Sequence, residues 1–188
     1  MSILLLFSLV LFSLLCSAFF SGMEIAFISS NKLKIELDNN KGEIGAKILS
    51  YFSDKPAWFI ATMLVGNNIA LVIYTLYMAV LLDPYLMAAG LGSSSILLLQ
   101  TIFSTIFILI FAEFLPKAIF RLNPNFILKL FSGILLVFYI LLWPITSLVV
   151  YLTRVILRFF GKEDGSDEKV SFKKTDLDYL IIGNYIIQ

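Results

Sequence analysis

Histidine is absent from this chain of 188 residues, and cysteine occurs once, at Cys16. No intrachain disulfide can form, and no Cys/His zinc site can be assembled. Charge is scarce as well. Only 14% of the residues are Asp, Glu, Lys or Arg, while 60% are hydrophobic; a soluble domain carries about 25% charged and about 45–50% apolar residues. The net charge of +1 singles out no partner, and no basic patch interleaved with aromatics points to nucleic acid. Strand-like alternation is missing, which argues against a β-barrel. Internal repeats are missing too. So is any base–nucleophile pair or metal-ligand spacing, and nothing supports an enzyme. Cys16 reads as a packing residue. A lipoprotein signal fits poorly, because Leu15 is not small and no Lys or Arg precedes the cysteine.

What is present is hydrophobic length. Four apolar blocks, at about 3–30, 57–82, 95–120 and 126–160, reach the roughly 20 residues that a membrane-crossing helix needs. Helices satisfy their own backbone in lipid, so the expected class is an all-α membrane protein. The connection at 31–56 carries Lys32, Lys34, Lys41, Lys47 and Lys55, whereas the connection at 83–94 carries no basic residue. Positive-inside bias then puts the N-terminus outside and the 31–56 loop in the cytoplasm. The fourth block has Lys129 before its core and Arg154, Arg158 and Lys162 after it, so both ends favour the cytoplasm. With Pro144 in "LLWPITS" removing a helical donor, it reads as a kinked juxtamembrane belt helix at about 124–160. A plain fourth span is the alternative. The expected fold is three transmembrane helices, a pair of short cytoplasmic helices within 31–56, and the belt. Residues 1–160 form the transmembrane domain. From "GKEDGSDEKVSFKK" onward, 161–188 reads as the start of a cytosolic linker, with a further cytosolic region expected to follow.

The polar residues inside these blocks carry the functional argument. Ser13, Ser17 and Ser21 are four apart and Glu24 lies three further on, so they share one helical face. Small polar residues such as Ser8, Ser13 and Thr101 let membrane helices pack closely. The second block carries Gly66, Asn67 and Asn68; its asparagines either bond across helices or line a site. The third carries "FAEFLPKAIF" at 111–120. An ionised carboxylate at membrane depth costs at least about 2.5 kcal/mol on the translocon scale, so Glu113 needs a partner. Lys117 sits at the membrane edge and can snorkel away. Pro116 has no N–H, which frees the carbonyl of Ala112 beside Glu113. Carboxylate, carboxamide, hydroxyl and carbonyl are hard oxygen donors, suited to Mg²⁺, Ca²⁺ or Na⁺. Glu24 lies nearer the water boundary, where it attracts cations or caps the inner helix pair.

"FFSGMEIAF", "LVGNNIALV" and "AEFLPKAI" together resemble the transmembrane domain of the CorC/cyclin-M family of magnesium transport proteins, over about residues 3–160. The resemblance implies a homodimer, three crossings with the N-terminus outside, a belt-like juxtamembrane helix, and a following cytosolic CBS module that binds ATP. It implies a partly or fully dehydrated cation, Mg²⁺ with Na⁺ as the coupling ion, held by Ser21, Asn67, the Ala112 carbonyl and Glu113; the reading of the residues adds Asn68 as a metal ligand and Glu24, Gly66, Pro116 and Lys117 as supporting residues. Many members carry an oxygen-bearing residue where this chain has Met23 and Leu71. The expected function is a Mg²⁺ transporter or exporter. The alternative is a non-transporting membrane regulator or scaffold whose polar cluster is structural. A dimer is expected through the second and third helices, on small residues such as Gly66, Ala70 and Ser104.

Overall fold

The computed structural model describes residues 2–90 and 92–159, and every element among them is a helix. The first, α1 (Ile3–Ser29), ends where Ser30 turns extended. Asn31 then caps α2 (Lys32–Asn40) by accepting the Lys34 N–H at 3.1 Å. Gly42, with φ of 83°, makes the left-handed turn into α3 (Ile44–Ser53) that a residue with a Cβ would resist. Pro56 opens α4 (Pro56–Ala88), a position where its missing N–H costs nothing. After Gly90 and Gly92 comes α5 (Ser93–Phe107), which runs into a π-helical segment (Ile108–Phe114) and then α6 (Leu115–Phe120). The last helix is α7 (Pro124–Phe159).

Four of these stretches are long and apolar enough to cross a membrane: Ile3–Ser29, Pro56–Ala88, Ser93–Phe120 and Pro124–Arg158. The protein is therefore a multi-pass membrane protein, all-helical among the described residues. By length and apolarity α7 stands with the other three. One expected break does not occur. The connection read at 83–94 shrinks to residues 89–92, because α4 continues through Pro84 to Ala88. There Gln100 of α5 donates to the Ala79 carbonyl and to Asp83, both at 3.2 Å, so an amide tends the backbone that the proline disturbs. At Pro144 α7 continues to Phe159, in keeping with the single helix expected over about 124–160. A proline removes one helical bond, and membrane helices tolerate that.

The bundle centres on α1, which packs along α4 and against the π segment and α6. Phe27 of α1 stacks on Phe59 of α4 with centroids 4.2 Å apart. Phe20, Met23 and Phe27 of α1 join Phe52 of α3, Met63 of α4 and Leu135 of α7 in one apolar core. The buried positions of α7 are Leu128, Ser132, Leu135, Tyr139, Leu142 and Thr146. Their spacing alternates four and three, the period of a helix that keeps one seam against its neighbours. Along that seam Tyr139 meets Phe52 of α3 at 5.1 Å, and Gly45 of α3 lies so close that a Cβ would stand 2.9 Å from Lys129. Residues 152–159, the last turns of α7, fall in a second compact unit. The expected linker at 161–188 lies outside the described residues.

Lys129 bonds Asp38 of α2 at 3.1 Å and also reaches Glu43, which precedes α3. Asp38 is buried, and its hydrogen bond from Lys129 holds its carboxyl below the usual carboxylate range. A carboxyl depressed in the folded state stabilises fully above its unfolded value, and that contribution is lost as pH falls through the folded value. Wild type is thus expected to lose melting temperature below about pH 4 more steeply than Asp38→Asn, which has no such proton to take up. Thermal unfolding from pH 6 to 3 checks this; parallel curves would remove Asp38 from the pH response.

Candidate cation site

The polar residues of α1 and α4 meet in one seam. The Ser17 hydroxyl donates to Asn67 Oδ1 at 2.5 Å, and both side chains are buried. That bond fixes the register of two antiparallel helices. Beside it, Gly66 leaves room for the ring of Phe20: a Cβ there would sit 2.6 Å from the ring. Ser13 satisfies its hydroxyl on its own helix, donating to the Leu9 and Val10 carbonyls. Ser21 differs. It is 0% exposed and its hydroxyl has no hydrogen-bond partner. A buried polar group left unmet costs about 1–3 kcal/mol, so the Ser21 Oγ is the atom in this seam that still requires a ligand.

Asn68 does not join it. One residue on from Asn67 is about 100° round a helix, and Asn68 is exposed, donating to the Leu64 carbonyl of its own helix at 2.9 Å. Its assignment as a ligand is corrected on that ground. Ser17 takes the place beside Asn67 instead. The sequence signal was the four-residue serine stripe, but nothing in the stripe says which member meets α4.

The π segment supplies the third part. In it the Leu115 N–H reaches the Ile110 carbonyl, five residues back. Pro116 follows at the point where the register returns to four. Lacking an N–H, Pro116 leaves a carbonyl unpartnered whichever spacing applies: Phe111 at five, Ala112 at four. Ala112 is fully buried on a segment packed against α1. Pro116 is buried too, and Gly22 of α1 admits the Phe120 ring of α6 at 2.7 Å from where a Cβ would stand.

Glu113 is half-buried. It lines a recess of about 460 Å³ with Leu109, Ile110, Phe114 and Lys117, all from the π segment and α6. No ion pair or hydrogen bond engages the side chain of Glu113 or of Lys117 among the described residues. Ser21 and Asn67 do not line that recess. The arrangement is thus two parts: a seam of neutral oxygens between α1 and α4, and one unpaired carboxylate on the neighbouring π segment. Glu24 is half-buried, one turn nearer the α2–α3 end than Ser21. Met23 is 0% exposed within the apolar core, and Leu71 is half-buried; neither adds an oxygen. No group of three or more His, Cys, Asp or Glu side chains that could hold a metal occurs among the described residues. Any cation here would rely on one carboxylate with hydroxyl, carboxamide and carbonyl oxygens, a hard donor set that excludes soft metals.

Residues 8–182 match the family described as the cyclin M transmembrane N-terminal domain. Among curated proteins, the chain is similar to the UPF0053 protein MG146 homolog of Mycoplasma pneumoniae, 29% identical over 136 residues, covering 70% of this chain and 31% of that protein. It is also similar to the UPF0053 inner membrane protein YfjD of Escherichia coli, 27% identical over 165 residues, covering 88% of this chain and 37% of that one. The chain thus spans about a third of the length of these relatives.

Gly66 sets how closely α1 approaches α4. Gly66→Ala is expected to cost about 1–3 kcal/mol, the usual range for overpacking, read as a lower melting temperature. Adding Phe20→Leu should recover part of the loss. A Gly66→Ala protein as stable as wild type would mean that this contact does not set the distance between the helices.

Proposed function

The chain belongs to the cyclin M transmembrane N-terminal domain family, and from that premise we propose that it is the membrane part of a Mg²⁺ transporter working as an exporter. The observation that carries the reading is the Ser21 hydroxyl, fully buried and unpartnered beside the Ser17–Asn67 bond. A seam that were only structural would have closed that atom onto a neighbour, as Ser13 does. Glu113 supplies the charge, Ser21 and Asn67 supply neutral oxygens, and the carbonyl released by Pro116 supplies another. Asn67 Oδ1 keeps a second lone pair while accepting from Ser17. Mg²⁺ dehydrates reluctantly, so a set this thin suits an ion that retains part of its water. Coupling to Na⁺ entry follows from the family resemblance, as do the homodimer and the ATP-binding CBS region.

The small residues first taken to support a dimer face do not serve there. Gly66 is filled by Phe20, and Ala70 and Ser104 are buried within the chain. Dimerisation therefore rests on the family resemblance alone. The belt reading of α7 has support in its packing. Lys129 holds the α2–α3 pair, and ten residues later Tyr139 still meets Tyr51 and Phe52 of α3. This stretch runs beside the lysine-rich connection rather than away from it.

A second reading is a regulator without transport. What favours it is that Asn67 is already bonded within the chain and that Glu113 lines a recess apart from Ser21.

Mg²⁺ is expected to raise the melting temperature, since a ligand bound only by the folded state stabilises it, by about 2.7 kcal/mol at a hundredfold excess over Kd. Glu113→Gln should abolish the rise. Ser21→Ala should weaken it, and so should Pro116→Ala by restoring a backbone donor. Titrations against Na⁺ and Ca²⁺ test selectivity, and Mg²⁺ flux through the full-length protein tests transport. A wild type with no ion-dependent shift, beside an equally stable Glu113→Gln, decides for the regulator. For orientation, single cysteines at Ser53 and Ser93 in a Cys16→Ala background should label from opposite sides of the membrane. Labelling of both from one side would overturn the topology.

A further inference from the structure

Tyr74 carries another buried polar atom, one that nothing above uses. It is 1% exposed, and its hydroxyl has no hydrogen-bond partner. Its place along the bundle follows from the Ser17–Asn67 bond. Tyr74 lies seven residues beyond Asn67 on α4, and Val10 lies seven residues before Ser17 on α1. Because the helices are antiparallel, both steps lead the same way, away from the α2–α3 end. Seven residues are two turns, about 10 Å, and return to nearly the same helical face. Val10, Tyr74 and Met78 form one buried cluster, and Ile108, the first residue of the π segment, packs against it.

The seam thus changes character along its length. It is polar at Ser21, Ser17, Asn67 and Ser13. Two turns further apolar side chains pack around a phenol hydroxyl, while a cavity of about 700 Å³ runs along the other side of the same two helices, past Ser13 and Tyr77. A phenylalanine would fill the same space without the cost of an unmet hydroxyl. Tyrosine is the choice that makes sense if the hydroxyl is met in another arrangement of the same helices.

We propose that Tyr74 is the gating residue of the ion route: it closes the polar α1–α4 seam on the side away from α2–α3, and its hydroxyl engages the hydrated cation when that closure opens. Waters around a cation point their hydrogens outward, so the phenol oxygen accepts from one of them. Ile108 connects this closure to the π segment that carries Glu113, so a shift of that segment bears on the closure directly. This inference rests on the transport reading.

The test uses the full-length protein in liposomes. Tyr74→Phe keeps the ring and removes the hydroxyl. Its Mg²⁺ flux should fall by at least about tenfold, while the midpoint of the Mg²⁺ melting titration stays at the wild-type value. Its melting temperature should not fall, because the deleted hydroxyl had no partner. A lowered melting temperature, or a shifted Mg²⁺ midpoint, would count against the proposal. The second arm needs no flux. With Ser17→Cys in a Cys16→Ala background, a membrane-impermeant thiol reagent added on the side away from α2–α3 should react only when Tyr74→Ala is also present; Ser17, unlike Ser13, does not line the cavity of about 700 Å³ between α1, α4 and α7. Labelling with Tyr74 intact, or none with Tyr74→Ala, overturns the closure. A wild type that carries no Mg²⁺ sinks the transport reading and this inference together. A transporting wild type matched by Tyr74→Phe sinks this inference alone.

Discussion

The ring of Phe20 seated on Gly66 is the contact on which the rest of the bundle depends. It brings the α1 and α4 backbones as close as a side chain lying on bare backbone allows. Only at that distance can Ser17 reach Asn67. With those two joined, every other level of the seam is fixed by counting turns: Ser21 towards the α2–α3 end, Val10 and Tyr74 towards the other. The same phenylalanine faces Phe138 of α7 edge-on at 4.9 Å, so one side chain ties the polar seam to the aromatic packing of the last helix. In lipid no hydrophobic force draws helices together, and close packing of this kind has to do that work.

Prolines interrupt three of the long helices, and the chain accommodates each in its own way. At Pro84 the amide of Gln100 crosses from α5 and bonds the neighbouring Ala79 carbonyl and Asp83. At Pro144 the helix continues, and Ser147 donates to the Pro144 carbonyl at 2.8 Å. Pro116 alone follows a change of hydrogen-bond register, the π segment that ends at Phe114. It is also the proline nearest an unpaired carboxylate. Irregular backbone at membrane depth persists where it is buried in protein or lines a cavity. The Glu113 recess and the buried Ala112 satisfy that condition.

Much of this was legible in the sequence because lipid imposes length. The apolar blocks mark α1, α4, α5 through α6, and α7, and Gly42 marks the turn between α2 and α3. The misreading at Asp83–Pro84 has a physical cause. The pair looks like a break by local propensity, but a long apolar helix loses only one bond at a proline and has every other reason to continue. Within the site, polar residues stand out against an apolar background, which is how Ser21, Asn67 and Glu113 could be picked. Adjacent letters gave no guide to facing: Asn67 turns inward and Asn68 outward, a matter of 100° that needs the neighbouring helix to settle. The π segment left no compositional trace, since it is a choice of hydrogen-bond partner rather than of residue.

The Lys129 clamp also has a timetable. Its two carboxylate partners precede it by 91 and 86 residues. At about 5–20 residues per second of synthesis, Asp38 and Glu43 emerge on the order of 5–20 s before the lysine that joins them. Through that interval Asp38 has only Lys41, one turn away at 3.5 Å. The α2–α3 pair therefore cannot take its final seat while the bundle is being inserted. It waits for the last helix, and the order of manufacture makes the lysine-rich loop the final part of this unit to settle.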